Sequence, residues 1–337
     1  MPAHRQAKVF LVLSQVYVPD PASVGQHMHD AAAEMVSRGY RVVVLTANRG
    51  YDNPSIRYKR REIVDGVEIR RLPLSSFGKR SIKQRLLAAV SFISQCIVRG
   101  VVMRPLAGIL VSTSPPMCSA AAVMIGTLRR VPIKYWVMDL NPDQAIALGR
   151  TREGALAVRA FNFLNRLILK RASNIVALDR FMAERLRRKS NVADKLRILP
   201  PWPHENHLEV IPHGENPFRQ EHGLENKFVV MYSGNHSHSS PITTLLQAAL
   251  RLQDERDLVF MFVGGGDGKE EVENAITRRK PKNIVSLPYQ PLSRIKYSLS
   301  AADVHAVAVG NSVVGVVHPC KIYGAMAVAK PILLIGP

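Results

Sequence analysis

The stretch Ser233-Gly234-Asn235-His236 follows directly on an apolar run at Phe228–Tyr232, and Ser239-Ser240-Pro241 then opens a helical pattern. That arrangement suits a phosphate. Glycine lets the backbone approach a ligand closely, serine caps a helix and proline fits its first turn, and a helix start supplies free N–H groups and partial positive charge. The same residues also make an ordinary strand-to-helix turn. A cation is needed to tell the two apart. Lys321 is the leading one, because His318-Pro319-Cys320-Lys321-Ile322-Tyr323 places it at the start of a predicted helix, beside that helix's N–H groups. Without a ligand it is a solvated surface lysine.

Other patterns are less specific. Val18–Gln26 is predicted as a loop between the first strand and the first helix, with Gly25 just before the helix; it either faces a ligand or merely connects. Gly264-Gly265-Gly266-Asp267-Gly268-Lys269 fits neither a P-loop nor a dinucleotide fingerprint and reads as a flexible turn. His204-Glu205-Asn206-His207 lacks the four-residue step that sets two histidines on one helix face, so no zinc site is expected. His236 and His238 read as hydrogen-bonding or surface residues. The chain contains no Asp-x-Asp pair. A departing diphosphate would then be neutralised by lysine, arginine and helix N-termini, with no metal.

Strands must end where these residues begin, and the sequence supplies them. Apolar runs of strand length alternate with helical periods, the pattern of parallel sheets covered by helices. Strands are predicted at Val9–Leu13, Arg41–Thr46, Val67–Leu72, Gly108–Ser112, Ile133–Val137 and Ile175–Leu178, with helices at His27–Arg38, Ile82–Met103, Cys118–Arg129, Ala155–Arg171 and Phe181–Lys189. A second series has strands at Phe228–Tyr232, Leu258–Val263, Ile284–Leu287 and Val304–Ala308, with helices near Thr243–Gln253, Glu270–Arg278 and Leu292–Ser300. At 337 residues the chain exceeds the size at which one core keeps growing. Two doubly wound α/β domains follow, 1–205 and 227–337, joined by a linker at 206–226 that overlaps the proline- and histidine-rich stretch Pro200–Pro217. Ligands of such sheets bind beyond the carboxyl ends of the strands, so the expected site is a cleft between the domains. The last strand, Ile332–Ile335, has no helix after it, and the second domain reads as incomplete, with an apolar face left uncovered.

A hydrophobic share of 47% and a charged share of 21% are those of a folded protein. The net charge of +20 biases the surface toward polyanions. Three dispersed cysteines, Cys96, Cys118 and Cys320, suggest neither disulfides nor zinc and fit a reducing compartment. The N-terminal His4, Arg5 and Lys8 precede a first strand rather than a signal peptide. Lys79-Arg80-Ser81-Ile82-Lys83-Gln84-Arg85 leads into a strongly apolar helix that suits either a membrane interface or the core of the first domain, with a solvated basic end. It falls short of the roughly 20 apolar residues needed to span a bilayer.

Taken in order, these segments resemble glycosyltransferase family 4, the retaining GT-B enzymes, over essentially the whole chain, and in particular the bacterial branch that builds cell-surface polysaccharide. The resemblance rests on EMVSRGYRVVVLTAN, VSTSPPMCSAAAV, WVMDLNPDQAIALG, YSGNHS, VGGGDG, LPYQP, AADVH and HPCKIYGAMAVAKPIL. It implies a GT-B architecture, two Rossmann-like domains facing across a cleft, the first binding the acceptor and the second the donor. It further implies that Ser233, Gly234 and Asn235 line the donor diphosphate, that Lys321 contacts it, that Tyr323 and Gly324 belong to the same donor site, and that Tyr289 and Gln290 meet the nucleobase. Gly25 would approach the donor phosphates from the first domain, and Asp139 would lie near the transferred sugar or acceptor hydroxyl unless it only caps a helix. Asp143 stands where relatives carry glutamate.

The co-substrate implied is a nucleotide diphosphate sugar, UDP-sugar foremost, with no separate cofactor and no metal. The acceptor implied is a lipid-linked saccharide at an anionic membrane surface, with the protein cytoplasmic and peripheral. One departure bears on activity: the family's glutamate, seven intervening residues and second glutamate are replaced by Val316 and Gly324. A sugar-nucleotide epimerase of the same fold and an inactive sugar-nucleotide binder therefore remain as alternatives. Nucleic-acid binding, suggested by the charge, lacks a recognisable module and an aromatic-rich basic face, and no nucleic-acid partner is expected.

Overall fold

The computed structural model describes residues 8–20, 22–50, 54–75, 82–203 and 208–337. His4, Arg5, the Lys79–Ser81 run and His204–His207 lie outside them. The chain divides into two compact units, Met1–Pro200 and Pro201–Pro337.

The first unit is built on β1 (Val9–Leu13), β2 (Arg41–Ala47), β3 (Arg61–Val64), β4 (Val67–Leu72), β5 (Leu106–Ser112), β6 (Ile133–Trp136), β7 (Asn174–Ala177) and β8 (Leu196–Ile198). Their order in the sheet is β3-β4-β2-β1-β5-β6-β7-β8, parallel except for β3 against β4. β1 is buried along its whole length, as a strand covered on both faces must be, which explains its uninterrupted apolar run. The helices are α1 (Ser23–Ser37), α2 (Ile82–Val102), α3 (Cys118–Arg129), α4 (Asp143–Ala147), α5 (Leu156–Arg171) and α6 (Arg180–Lys189). None of the described helices is long and apolar enough to cross a membrane.

The second unit begins with the short α7 (Pro217–Glu221), followed by β9 (Phe228–Ser233), α8 (Thr243–Arg251), β10 (Leu258–Val263), α9 (Lys269–Arg279), β11 (Ile284–Leu287), α10 (Ile295–Ser300), β12 (Val304–Ala308), α11 (Lys321–Ala327) and β13 (Ile332–Ile335). All its strands are parallel, in the order β11-β10-β9-β12-β13. Side chains alternate across the sheet with period two. Val230 and Tyr232 face a core with Leu245 and Leu246 of α8, while Val229 and Met231 face one with Phe218 and Ala301. β13 is an edge strand with Leu333 and Leu334 exposed.

Residues expected to form the interdomain linker are built into this second unit instead. Phe218 and Leu224 are fully buried in its core, and the buried Arg219 guanidinium donates to the carbonyls of Ala301, Leu224 and Lys227 at 2.5–2.6 Å. A single side chain thus satisfies three carbonyls and fastens the segment to the sheet.

Candidate functional site

In the second unit the strand order reverses at β9, between β10 on one side and β12 on the other. The loops leaving β9 and β12 diverge there and leave a crevice at the carboxyl ends. Ser233 ends β9 and Gly234 follows with φ +127°, a backbone state that L side chains rarely adopt. A Cβ added at Gly234 would lie 2.9 Å from Lys321 Cε. The aliphatic stem of Lys321 therefore runs across the glycine, and its amine reaches over the Tyr232 ring, 5.2 Å from the centroid.

The Lys321 amine has neither a hydrogen bond nor an ion pair among the described residues. Desolvation pushes its pKa down to about 8, although the residue as a whole keeps some accessible surface. A cation held in this way gains strongly from an anion. The helix N–H groups expected beside it are already engaged, since the amides of Ile322 and Tyr323 donate to the carbonyls of Pro319 and Cys320, both at 3.2 Å. The seven-residue α11 positions the lysine and offers little more. Ser239 and Ser240 do not cap α8 either; its cap is Ile242, with no side-chain bond.

The glycine-rich segment after β10 is not a flexible turn. Gly264 packs so closely on Gly234 that a Cβ would sit 2.1 Å from the Gly234 carbonyl oxygen. His236 N–H donates to the Gly265 carbonyl at 2.7 Å, and Gly268 N–H donates back to the His236 carbonyl at 2.8 Å. Lys269 Nζ donates to the carbonyls of Phe262 and Leu287, at 2.7 and 2.8 Å, tying the loop to two strand ends. Burial pushes its pKa down to about 8. The His236 ring is fully buried beside Tyr232, with centroids 4.7 Å apart. Burial, with Lys269 and then Lys321 nearby, lowers its pKa to about 4, so it is neutral at physiological pH. Neither Lys269 nor the burial of His236 was legible in the sequence, where glycine spacing says nothing about a partner loop.

Tyr289 joins this group through the same loop: its ring lies against Gly265, and its hydroxyl donates to that carbonyl at 3.4 Å. Gln290 turns its amide to the Pro288 carbonyl, and Asn235 is exposed. Tyr323 is engaged elsewhere, its hydroxyl 2.8 Å from His318 Nε2. Gly324 packs under Leu299, leaving an added Cβ only 3.3 Å. Val316 is fully buried. Ser233, Gly234, Asn235 and Lys321 thus converge with Tyr289 through one pair of loops, whereas Tyr323 meets His318 and Gly324 lies under Leu299.

The first unit has its own reversal point, between β1 and β5. Ser112 Oγ donates to Ser14 Oγ at 3.1 Å and accepts from Ser114 N–H at 3.2 Å. Thr113 Oγ1 accepts from the amides of Met138 and Asp139. Asp139 caps no helix, since α4 begins at Asp143 with Pro142 as its cap. Burial raises its carboxyl to about 6, although the residue keeps some accessible surface. Gly25 is not in a loop but inside the first turn of α1, where a Cβ would meet Tyr17 Cα at 2.9 Å. Asp143 pairs with Lys189 at 2.8 Å.

Residues 23–202 match a glycosyl transferase 4-like domain. Over 332 residues the chain is 25% identical to WcaI of Escherichia coli, assigned as a colanic acid biosynthesis glycosyl transferase, covering 94% of this chain and 81% of WcaI. It is 26% identical over 266 residues to the glycosyltransferase WbjE of Pseudomonas aeruginosa, covering 78% of this chain and 64% of that protein. Among solved structures, HepE of Anabaena in complex with UDP-glucose superposes with a TM-score of 0.68 over 97% of this chain and 80% of that one, at 15% identity. That likeness is one of fold.

Proposed function

Because the chain belongs to the glycosyl transferase 4-like family, whose domain covers more than half of it, we propose that this glycosyltransferase of GT-B fold moves a sugar from a UDP-sugar onto a saccharide acceptor in cell-surface polysaccharide assembly. The observation that carries the donor assignment is the desolvated, unbonded Lys321 amine lying across Gly234. A diphosphate supplies what that amine lacks. Similarity to WcaI supports the polysaccharide context, and the UDP-glucose bound by HepE supports the choice of UDP.

In this reading the acceptor hydroxyl attacks from the side on which the diphosphate leaves, and the anomeric configuration is retained. A diphosphate oxygen takes the proton, so no tuned pair of protein carboxylates is required, and no metal. Lys321 stabilises charge on the departing group. Ser233, Gly234 and Asn235 line the diphosphate, Tyr289 and Gln290 the base, and Asp139 positions the acceptor side.

The acceptor is proposed to be lipid-linked, with the protein peripheral on the cytoplasmic face of an anionic membrane. Charge supports this. Helices α2, α3 and α5 contain no aspartate or glutamate, and each exposes large apolar side chains, Val98, Leu128 and Phe163 among them.

A second reading, a sugar-nucleotide binder without transfer, is favoured by the positions of Val316 and Gly324. One is buried and the other lies under Leu299, so neither side chain can take the place of a sugar-binding carboxylate. Incubation with labelled UDP-, GDP- and dTDP-sugars and lipid extract separates the two. Label passing into lipid supports transfer. Donor binding without label transfer would sink the enzyme and leave the binder.

A further inference from the structure

Beside the last turns of α2 in the first unit, two adjoining cavities of about 240 and about 370 Å³ share Arg70 and Arg99 in their walls, the first at the start of β1 and β2 (Val9, Arg41) and the second running to the end of β4 (Leu72, Pro73). Arg41 and Arg104 complete one and Arg60 and Arg61 the other. Carboxylates are scarce here. Arg41 and Arg70 both draw on Glu68, at 2.7 and 2.6 Å, and Glu62 is taken by the buried Arg71. Among the described residues, Arg60, Arg61, Arg99 and Arg104 meet no carboxylate. Arg61 also stands directly opposite Arg70 across the antiparallel β3–β4 pair, where like charges are destabilising. The cluster lacks anions that the chain itself does not provide.

Beside it lies an apolar track. Leu86, Val90, Val98 and Val102 recur at helical spacing on α2, and all four are exposed. Val102, 71% exposed, also lines the first cavity. The track therefore ends on arginines. A free anion would use the arginines and leave the track bare, whereas an amphiphile with a phosphate head and acyl chains uses both.

We propose that the paired arginine cavities at the end of α2 bind the phosphate of an anionic phospholipid headgroup, with the exposed α2 stripe lying at the acyl boundary. Arginine forks hold phosphate bidentately. They also offset the partial negative charge of the α2 C-terminus, which would otherwise repel an anion. This site rests on the membrane reading above and adds to it a place and a headgroup chemistry.

The test is co-sedimentation with vesicles of equal parts phosphatidylglycerol and phosphatidylcholine, using the full chain. Arg99→Gln with Arg104→Gln is expected to lower vesicle affinity about 30-fold. Arg278→Gln with Arg279→Gln removes the same charge from the exposed last turn of α9 and is expected to lower it far less. Equal losses in the two double variants overturn the cavity and leave a diffuse membrane attraction standing. Failure of the unaltered chain to bind these vesicles overturns both readings. Calorimetric binding of pyrophosphate that is lost in Arg99→Gln with Arg104→Gln, without vesicle binding, assigns the cavities to a soluble anion and overturns the lipid.

Discussion

The two reversal points of the molecule share a topology and differ in chemistry. Between β1 and β5 the crevice is lined by hydroxyls that are already bonded to one another and to backbone, with one carboxyl raised to about 6 by burial. At the β9–β12 reversal the segments that follow β9, β10 and β12 carry two desolvated lysines and a neutral buried histidine. Both lysines have the same lowered pKa, yet they are not equivalent. Lys269 spends its amine on two strand-end carbonyls, while Lys321 has none. A doubly wound sheet therefore supplies a crevice wherever its strand order turns, and the hydrogen bonds already made around it decide which groups are left for a ligand. The first crevice is left with hydroxyls already bonded, and the second with a cation that is not.

Removing the free cation should break this contrast most. Lys321→Ala is expected to weaken UDP binding about 10- to 100-fold, the ~1.5–3 kcal/mol of a hydrogen bond to a charged group, measured by titration calorimetry. Unchanged affinity would mean that the two crevices do not differ as described. The loss should also depend on pH. Lys321 titrates near 8 in the free protein, so its charge, and with it UDP affinity, falls as pH rises through that value, by up to about tenfold per unit. The Lys321→Ala variant should lack this slope. If it keeps the slope, another group carries the dependence, and Lys269 is the first to examine.

The glycines test the same contrast through packing. Gly234→Ala places a Cβ against Lys321 Cε and strains a positive φ; it is expected to cost about 1–3 kcal/mol of stability and to weaken UDP binding as well. Gly25→Ala presses on the Tyr17 backbone, which cannot swing aside as a side chain can. A similar loss of thermal stability is expected, but with UDP affinity nearly unchanged. If Gly25→Ala weakened UDP binding as much as Gly234→Ala, the glycine of α1 would be a donor contact rather than a packing contact.

These details mark where the sequence was legible. Strands such as Val9–Leu13 and Leu258–Val263 were readable to the residue, because burial on both faces leaves an unbroken apolar run. β3 was not, since Arg61–Val64 sets two charged residues before an exposed Ile63 and a half-buried Val64 at a sheet edge, and β8 has only three residues. The segment around Phe218 read as linker because its buried side chains, Phe218, Arg219 and Leu224, are two apolar residues six apart and one arginine, which make no period. Lys321 could be chosen from its place at a helix start, yet its actual setting comes from Gly234, a contact between distant parts of the chain. Gly25 read as a loop residue just before the first helix, but α1 runs through it because a missing side chain is what lets that turn rest on Tyr17.

The smallest expected effect lies in the first crevice. Asp139→Asn should leave UDP affinity as it is and lower the transfer rate only several-fold, since in the retaining route the leaving diphosphate takes the proton and the carboxylate merely orients the acceptor. The pH profile makes the test specific. The Asp139 carboxyl titrates at about 6, above an ordinary aspartate, so it gains its proton as pH falls through 6 and transfer by the unaltered chain should decline there. The asparagine variant, with nothing to protonate, should stay flat over the same range. A matching decline in the variant would assign the acid limb to another group and leave the first crevice with no ionisable role in transfer.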